Sequence, residues 1–428
     1  MNTKQIQSVK RLTGEVTVPG DKSISHRAVM IGSIADGTTQ IHNFLQGDDC
    51  LSTISCFRQM GVSIENTGED IIVQGKGLYG LSAPLNVLDV GNSGTTARLM
   101  SGILCGQSFA STLTGDASIR RRPMQRIITP LTQMGASISG QNDTQCAPLQ
   151  IAPALLHGIH YTSPIASAQV KSCLLLAGLY AQSPTSVTEP YVSRNHSELM
   201  LQHFGAQLTT QDTTVTIEPQ PHLIGREVIV PGDISSAAYF IAAGLLVPDS
   251  EILIKNVGIN PTRAGILEVC ERMGGDITYL NEHTNSGERS ADLLVRSSRL
   301  KGVEIGGALI PTLIDEIPIL AVLAATAEGT TVIRDAQELT KKESDRIATI
   351  TSNLEQMGAD ISAQPDGMII KGREELHGAC INTHLDHRIA MAFSIAALVA
   401  RGTTEIQDAS CTAISYPNFY HDLESLIM

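Results

Sequence analysis

The chain of 428 residues contains no tryptophan, and aromatic residues make up only 4 % of it. Aromatic platforms that stack on nucleic-acid bases are therefore not expected. Positive charge is also scarce, with 30 Lys and Arg against 43 Asp and Glu and a formal net charge of −13. A surface with this balance disfavours general binding to nucleic acids or to anionic membranes.

Two further absences concern cysteine pairs and apolar runs. The eight Cys show no C-x-x-C spacing, which argues against zinc ribbons and thioredoxin-like sites. No apolar run reaches the roughly 18 residues that a membrane span needs. The polar first residues also lack the apolar region of a secretory signal. We therefore expect a cytoplasmic protein with reduced thiols, and its 42 % hydrophobic residues are enough for a large core.

The sequence does contain internal repeats. In five places an amphipathic helical pattern ends in Met-Gly or Phe-Gly and continues as an alternating, strand-like segment. A glycine directly after the last apolar helical position is typical of a helix C-terminus. These glycines follow one another at intervals of 74, 70, 69 and 84 residues, and they are Gly61, Gly135, Gly205, Gly274 and Gly358.

A second pattern occurs six times and consists of an Ala-rich apolar helix, a turn and a β-branched strand. Because a helix that is apolar nearly all round is usually buried, we expect six buried helices surrounded by sheets. The similar segments Val16–Ala28 and Val228–Phe240 place domain junctions near Gly20 and Gly232. The predicted domains are residues 21–232 and residues 1–20 plus 233–428, with three repeats each, a cleft and a hinge that the chain crosses twice.

The few cations concentrate near predicted helix starts. Helix N-termini offer free N–H groups to phosphate or carboxylate, and Pro123 after three arginines fits the first position of a helix. We therefore predict a cleft that binds a phosphorylated, carboxylated metabolite, although solvation or a salt bridge could explain any one cation. The cations concerned are Lys22, Arg27, Arg120, Arg121, Arg122, Arg194, Lys342, Arg346 and Arg388.

Two acidic residues near these cations are candidates for proton transfer. Asp315 lies in the apolar segment PTLIDEIPIL, which disfavours a charged carboxyl and suits a general base. Glu343 lies between Lys342 and Arg346. The structural alternatives are a helix N-cap for Asp315 and a surface ion pair for Glu343.

Three other motifs have competing interpretations. Gly94 either lets a ligand approach the backbone closely or forms a tight turn with positive φ. The segment THLDHR could supply metal ligands, but a helix start is preferred. GKGLYG fits G-x-G-x-x-G, yet no long helix follows it, so a dinucleotide site is disfavoured.

Seven motifs, in order along the chain, resemble those of the 5-enolpyruvylshikimate-3-phosphate (EPSP) synthase family of enolpyruvyl transferases. The resemblance covers about residues 14 to 420 and implies an α/β fold. It implies two inside-out domains, each with three βαβαββ units, buried helices and outer sheets. The motifs are PGDKSISHRA, DVGNSGTTARL, GDASIRRRPM, SAQVKS, LIDEIP, KKESDRI and LDHRIAM.

The resemblance also implies a reaction. The enolpyruvyl group of phosphoenolpyruvate moves to the 5-hydroxyl of shikimate 3-phosphate, and phosphate is released, on the pathway to chorismate and aromatic amino acids. No cofactor or metal is implied. The 5-hydroxyl attacks C2 of phosphoenolpyruvate while C3 is protonated, and phosphate leaves the tetrahedral adduct. Glyphosate is implied to bind in the phosphoenolpyruvate pocket.

Site residues follow from the same resemblance. Asp315, Glu343 and Lys22 are the implied catalytic residues, with Asp315 taking the hydroxyl proton and Glu343 handling the proton at C3. Shikimate 3-phosphate is implied to contact Lys22, Ser23, Arg27, Ser167, Ala168, Gln169, Arg194, Asp315 and Lys342. Phosphoenolpyruvate is implied to contact Lys22, Gly94, Arg122, Gln169, Arg346 and Arg388. Some members have a Lys where this chain has Ile414, so that role stays open.

Two other functions remain open at this point. An enolpyruvyl transferase acting on UDP-N-acetylglucosamine shares the fold, but it typically has a Lys-Asn pair and a reactive loop Cys. Here the corresponding stretch is DKSISHR, and Cys105 and Cys146 lie away from RRRPM in sequence. A non-catalytic anion-binding protein would have no use for Asp315 and Glu343. We expect a monomer that acts on small molecules, without nucleic acid or membrane partners.

Overall fold

The computed structural model describes residues 3–140, 145–372 and 375–428. The chain divides into two compact units. The first unit contains Gly20–Val230 and Thr284–Glu288, and the second contains the residues up to Pro19, Pro231–His283 and Arg289–Met428. The short piece Thr284–Glu288 adds two chain crossings to the two that the sequence pattern predicts.

The three sheets described in the first unit share one topology. Each has four strands, in which a parallel pair is followed by two antiparallel neighbours. In order across each sheet, the strands are Glu227–Ile229, Asp36–His42, Asp70–Lys76 and Ser63–Asn66; then Leu88–Asp89, Ser111–Thr114, Leu149–Ala152 and Ser137–Gly140; then His160–Thr162, Thr185–Thr188, Thr214–Ile217 and Leu208–Gln211.

Six α-helices are described in the first unit. Helices α1, α3 and α5 are buried over most of their length, as their apolar patterns predict, whereas α2 and α4 bury one face. Their bounds are α1 (Lys22–Ser33), α2 (Asp48–Gln59), α3 (Gly94–Cys105), α4 (Gln125–Gln133), α5 (Ala168–Gly178) and α6 (His196–Phe204).

The second unit repeats this sheet topology twice and adds a smaller sheet, within its described residues. One of the three sheets has three strands instead of four. In order across each sheet, the strands are Asp276–Asn285, Glu288–Arg296, Glu251–Gly258 and Thr13–Thr17; then Glu304–Ile305, Thr330–Ile333, Gly367–Lys371 and Asp360–Gln364; then Lys4–Gln7, Thr403–Ile406 and Cys380–Ile381.

The described helices of the second unit again include three buried apolar ones, α7, α10 and α12. Short 3₁₀ turns cover Gly307–Leu309, Ile314–Glu316, Gln337–Lys341 and Ala409–Ile414. The α-helices are α7 (Ile234–Leu246), α8 (Gly265–Arg272), α9 (Ile310–Leu313), α10 (Ile317–Thr326), α11 (Arg346–Gln356), α12 (His387–Ala397) and α13 (Phe419–Ser425).

The repeated glycines behave as the sequence predicts. Each follows the end of an amphipathic helix and has a positive φ, a conformation that glycine adopts without steric cost. The φ values are 86° for Gly61, 92° for Gly135, 108° for Gly205, 90° for Gly274 and 86° for Gly358. The prediction of five helix C-termini is confirmed.

One expectation about apolar length is wrong. The helical stretch Gly307–Thr326 has 20 residues, and its most apolar window of 18 residues has a mean hydropathy of 1.9, so it is long and apolar enough to cross a membrane. However, 67 % of its most apolar window is buried inside the protein, as in the core helix of a soluble protein. The stretch also carries Asp315 and Glu316, whose contacts are described below.

Two further local predictions are wrong. The polar run at residues 281–290 predicts an exposed loop, but these residues form the end of a hairpin in which Ser286 and Gly287, with φ of 52° and 84°, turn the chain tightly. Pro123 is not the first residue of a helix. A 3₁₀ turn at Ile119–Arg121 precedes it, and α4 begins only at Gln125.

Candidate active site

Predicted site residues of the first unit lie at the N-termini of its three buried helices. Lys22 begins α1, Gly94 begins α3 and Ala168 begins α5. The residue before each helix caps it by accepting a backbone N–H with its side chain. These N-termini present unpaired N–H groups and a partial positive charge, which suit anionic ligands.

Arg27 is held rigidly by hydroxyl and carbonyl oxygens. Its Nε donates to Ser197 Oγ at 2.7 Å, its Nη1 to the Ser23 carbonyl at 2.8 Å and its Nη2 to Ser172 Oγ at 3.0 Å. Burial lowers the pKa of Arg27 to about 10, with a smaller contribution from the positive charge of Arg194. Arg27 therefore stays charged at neutral pH, with Arg194 close enough to act on it.

Two other predicted cations of this unit have specific partners. Lys22 Nζ lies 2.7 Å from Asp49 Oδ2 in a partly buried ion pair. Arg122 Nη2 donates to Asn92 Oδ1 at 2.9 Å, and Asn92 precedes the capping residue of α3. The side chains of Asp49 and Asn92 thus orient two cations, a role that the sequence analysis did not identify.

Gly94 lies against two arginines. A Cβ atom at this position would be 3.0 Å from Arg98 Nη1 and 3.3 Å from Arg122 Nη1. Gly94 is helical and not among the glycines with positive φ, so the tight-turn alternative is wrong. Gln169 Oε1 accepts a hydrogen bond from Arg98 Nη1, and Gln169 Nε2 donates to Thr95 Oγ1 at 3.3 Å. Arg98, one helical turn after Gly94, was missed although it lies in a quoted motif.

Predicted acids and cations of the second unit meet around Asp315. Its Oδ1 accepts from Lys342 Nζ at 3.2 Å and from Arg346 Nη1 at 3.5 Å. Arg346 Nη2 also donates to Glu343 Oε2 at 2.7 Å. The four residues therefore form one cluster, in which both carboxylates share the Arg346 guanidinium.

The cluster corrects several expectations about its members. Asp315 does not lie in an apolar environment, because two cations reach its Oδ1, and it does not cap α10, whose N-cap is Glu316. The Arg346 side chain is 1 % exposed, so its bond to Glu343 is not a surface ion pair. Their spacing of four residues predicts that Lys342 and Arg346 lie on one helix, but Lys342 precedes α11, which begins at Arg346.

Arg388 lies beside this cluster. Its Nη1 donates to the Asp315 carbonyl at 3.3 Å and to Glu316 Oε1 at 3.5 Å. Burial alone would lower the pKa of Arg388, but the nearby charges, that of Asp315 first among them, raise it above its usual value. Arg388 is therefore a permanent cation next to the proposed base.

The predicted helix start in THLDHR is confirmed. Asp386 is the N-cap of α12 and accepts from the Arg388 backbone N–H at 3.0 Å. It also accepts from Arg346 Nε at 2.9 Å. Burial would raise the pKa of Asp386, but Arg346 holds it below its usual range. Among the described residues, no group of His, Cys, Asp and Glu is arranged as a metal site.

A buried ion pair that no sequence motif indicates lies beside the Asp315 cluster. Glu316 is fully buried, and its Oε2 lies 2.6 Å from Arg263 Nη1. Its Oε1 accepts from Arg263 Nη2 at 3.0 Å and from Ser235 Oγ. Because Glu316 also contacts Arg388, the pair is connected to the Asp315 cluster through Arg388. The neighbouring Asp315 was visible in the LIDEIP motif, but nothing in the sequence linked Glu316 to Arg263.

Ile414 and the two cysteines compared with the reactive loop Cys are the remaining positions of interest. Ile414 ends the 3₁₀ turn Ala409–Ile414 and is exposed. Cys146 follows Gln145, whose carbonyl accepts from the Met124 backbone N–H at 2.6 Å. Cys146 therefore lies near the Arg-Pro-Met segment in space, contrary to the expectation from sequence distance, whereas Cys105 is buried in α3.

Comparison with known proteins identifies one family. The model of the family "EPSP synthase (3-phosphoshikimate 1-carboxyvinyltransferase)" matches residues 6–423. The 3-phosphoshikimate 1-carboxyvinyltransferase of Thermoanaerobacter sp. strain X514 is 57 % identical over 422 residues, which cover 99 % of both chains. The corresponding protein of Brevibacillus brevis is 56 % identical over 419 residues and 98 % of both chains.

A solved structure is also similar over nearly the whole length of the chain. The EPSP synthase of Acinetobacter baumannii has a TM-score of 0.91 and 43 % identity, and the match covers 99 % of this chain and 98 % of that one. The two proteins therefore share the same mixed α/β fold.

Proposed function

The chain belongs to the EPSP synthase family, and we propose that the residues described above perform the family's reaction. As a transferase of this family, it moves the enolpyruvyl group of phosphoenolpyruvate onto shikimate 3-phosphate and releases phosphate. This step belongs to the biosynthesis of aromatic amino acids. The observation that carries the conclusion is the match over residues 6–423, together with 57 % identity to a relative of the same length.

We propose that the first unit supplies most contacts to shikimate 3-phosphate. Arg27 and Arg194 bring two positive charges near each other, and Ser23, Ser167, Ala168 and Gln169 lie at the N-termini of α1 and α5. A dianionic phosphate suits such a combination of cations and backbone N–H groups. Lys22 is proposed to contact both substrates, because its ammonium is a compact charge on a flexible stem.

Phosphoenolpyruvate is proposed to bind to a second set of cations. Gly94, Arg122 and Gln169 of the first unit and Arg346 and Arg388 of the second are assigned to it. The support is that Gly94 and Arg122 lie side by side, and that Arg346 and Arg388 flank Asp315. Arginine forks match carboxylate and phosphate geometry, so the cations can neutralise this ligand without a cofactor or metal.

Proton transfer is proposed to use the Asp315 cluster. Asp315 accepts the proton of the 5-hydroxyl as the hydroxyl oxygen attacks C2, and Glu343 delivers a proton to C3. Phosphate then leaves the tetrahedral adduct as C3 returns a proton to the Glu343 carboxylate, which restores the double bond. Lys342, which contacts the Asp315 carboxyl, is proposed to bind shikimate 3-phosphate as well.

Further proposals concern the domains, the oligomeric state and the cellular compartment. We propose two inside-out domains, 21–232 and 1–20 plus 233–428, with a cleft and hinge near residues 20 and 232. We also propose a cytoplasmic monomer with no nucleic-acid or membrane partner. All eight cysteines are free thiols, as expected in a reducing compartment.

The acceptor can be tested directly. Phosphate release should be measured with phosphoenolpyruvate and either shikimate 3-phosphate or UDP-N-acetylglucosamine, with each substrate alone as the control. We expect release only with shikimate 3-phosphate. Release with phosphoenolpyruvate and UDP-N-acetylglucosamine, but not with phosphoenolpyruvate and shikimate 3-phosphate, would support the alternative transferase. No release with either acceptor would support an anion-binding protein.

Substitution Gly94→Ala should make the protein less sensitive to glyphosate. The added methyl would press on the guanidinium groups of Arg98 and Arg122, which must move by a few tenths of an ångström. Because glyphosate is slightly longer than phosphoenolpyruvate, we expect its inhibition constant to rise by more than about tenfold, about 1.4 kcal/mol, and the phosphoenolpyruvate KM to rise less.

Both constants should be measured for Gly94→Ala and wild type in the same buffer. The variant should fold, since Gly94 is helical. Equal losses for glyphosate and phosphoenolpyruvate would mean that the methyl damages the pocket as a whole. A wild type that tolerates millimolar glyphosate would contradict the expected sensitivity and would show that neighbouring differences, such as Ala168 or Ile414, reshape the pocket.

Substitution Glu343→Gln should lower kcat by about 100-fold or more, because an amide cannot donate a proton to C3. The amide oxygen can still accept from Arg346, so shikimate 3-phosphate should bind nearly as well. Steady-state kinetics and equilibrium binding test both statements. The exposed Glu355 of α11 provides the matched control, and Glu355→Gln should behave like wild type. A near-normal kcat for Glu343→Gln would remove Glu343 from the mechanism.

A further inference from the structure

Lys171, in the first turn of α5, belongs to a buried cluster of three charged side chains. Lys171 Nζ lies 3.0 Å from Glu189 Oε2 and 2.8 Å from Glu198 Oε1, and all three side chains are buried. Burial would lower the pKa of Lys171, but the two carboxylates raise it, so the lysine stays charged. Buried charges of this kind are costly, and a cluster of three is poorly explained by stability alone.

The Glu189 carboxylate also holds two backbone segments. Its Oε1 accepts from the Ser167 backbone N–H at 2.7 Å. Its Oε2 accepts from Ser193 Oγ at 2.7 Å and from the Ser193 backbone N–H at 3.3 Å. Lys171 adds to this by donating to the Ser193 carbonyl at 3.2 Å. One carboxylate therefore links the start of α5 to the loop before α6.

These two segments carry the residues assigned above to the phosphate of shikimate 3-phosphate. Ser167 precedes Ala168 and Gln169, and Ser193 precedes Arg194. A bare carboxylate near a phosphate site would repel the ligand, and the ion pair with Lys171, which Glu198 shares, weakens that repulsion. Hydrogen bonds to a charged acceptor are about twice as strong as neutral ones, so Glu189 can fix both segments before the ligand arrives.

We propose that Glu189, paired with Lys171, is a positioning residue that holds Ser167–Gln169 and Ser193–Arg194 in the geometry that binds shikimate 3-phosphate. This inference rests on the proposed function for the identity of the ligand. It assigns no contact between Glu189 and the substrate, and the carboxylate acts only through the two segments.

Glu198 offers a matched control within the same cluster. Glu198→Gln removes the same charge from Lys171, yet Glu198 makes no described bond to either segment. Glu189→Gln leaves one amide oxygen, which can serve one segment but not both. We expect Glu189→Gln to raise the KM for shikimate 3-phosphate by about tenfold. The kcat, and the KM for phosphoenolpyruvate measured at saturating shikimate 3-phosphate, should change little. Glu198→Gln should change the KM by less than about threefold.

Equal KM increases in the two variants would overturn the proposal, because the cluster would then act through charge or stability. A wild-type KM in folded Glu189→Gln would overturn it too. If Glu189→Gln does not fold, Ser193→Ala carries the test. It removes the Oγ donor alone and should raise the KM by about threefold, and an unchanged KM in that variant would count against the inference.

Hydrogen exchange on the ligand-free protein separates this inference from the proposed function. Peptides containing Ser167 and Ser193 should exchange faster in Glu189→Gln than in wild type or Glu198→Gln. Unchanged exchange there would contradict the positioning role, whichever substrate the enzyme uses. If the wild type does not turn over shikimate 3-phosphate, the proposed function fails, while the exchange result still decides whether Glu189 positions the segments.

Discussion

Substitution Asp315→Asn should lower kcat by about 10²- to 10⁴-fold, the range expected when a positioned proton acceptor is lost. The amide is nearly the same size as the carboxyl and can still accept from Lys342, so the surrounding geometry should persist. It cannot take up the proton of the 5-hydroxyl. The binding of shikimate 3-phosphate should weaken by less than about tenfold, because only one of many contacts changes.

Steady-state kinetics with both substrates and equilibrium binding of shikimate 3-phosphate measure these two effects. The exposed Asp276 of the same unit gives a control of the same chemistry, and Asp276→Asn should retain wild-type values. If kcat and binding of Asp315→Asn fell by equal factors, Asp315 would be a binding group only. Turnover near the wild-type rate would exclude it as the base.

The second large effect concerns stability. Glu316→Gln removes the carboxylate that pairs with Arg263 at 2.6 Å, where the Glu316 side chain is 0 % exposed. Leaving a buried charge without its partner costs about 3 to 5 kcal/mol, so the free energy of unfolding should fall by that order. Arg388 also contacts Glu316, so the phosphoenolpyruvate KM should rise in the same variant. Urea denaturation followed by circular dichroism gives the stability, with Glu355→Gln as the control.

A double-mutant cycle makes this prediction sharper. Arg263→Met together with Glu316→Leu removes both charges of the pair and should destabilise less than Glu316→Leu alone, since Arg263 is then not left without its carboxylate. If the double variant lost as much stability as the sum of the single variants, the two residues would not be coupled.

The pair also predicts a pH dependence. Burial would raise the pKa of Glu316, but Arg263 outweighs burial and holds the pKa below its usual range. A carboxyl with a lowered folded-state pKa stabilises the protein above its unfolded-state pKa, and that stability is lost as the pH falls through the folded-state pKa. Wild type should therefore lose more stability than Glu316→Gln on acidification below about pH 4.5. Parallel losses would contradict this.

Periodic patterns made much of the fold predictable. Six Ala-rich apolar segments identified the buried helices, and a glycine after each amphipathic helix marked its end, because both signals are local. The hairpin around Ser286 could not be found in this way. The strand Asp276–Asn285 is mostly exposed, so its sequence lacks the apolar alternation that marks a half-buried strand.

The candidate site was predicted unevenly for a similar reason. Cations at helix starts, such as Lys22 and Arg388, stand out in an acidic sequence. The partners that orient the site do not stand out, because polar pairs form between distant residues with no periodic signal. Arg263 and Glu316 are 53 residues apart. Asp315 shows the same limit, since its sequence neighbours are apolar but its contacts in space are Lys342 and Arg346.

The proposed reaction adds the 5-hydroxyl of shikimate 3-phosphate to C2 of phosphoenolpyruvate with proton transfer at C3, followed by loss of phosphate. The most direct test is to run the reaction in D₂O and analyse the product by mass spectrometry and NMR. We predict phosphate and an enolpyruvyl ether of shikimate 3-phosphate that carries deuterium on the vinyl carbon, with label and product both nearly absent in Glu343→Gln. Phosphate release without an ether, or an ether without deuterium, would contradict the account.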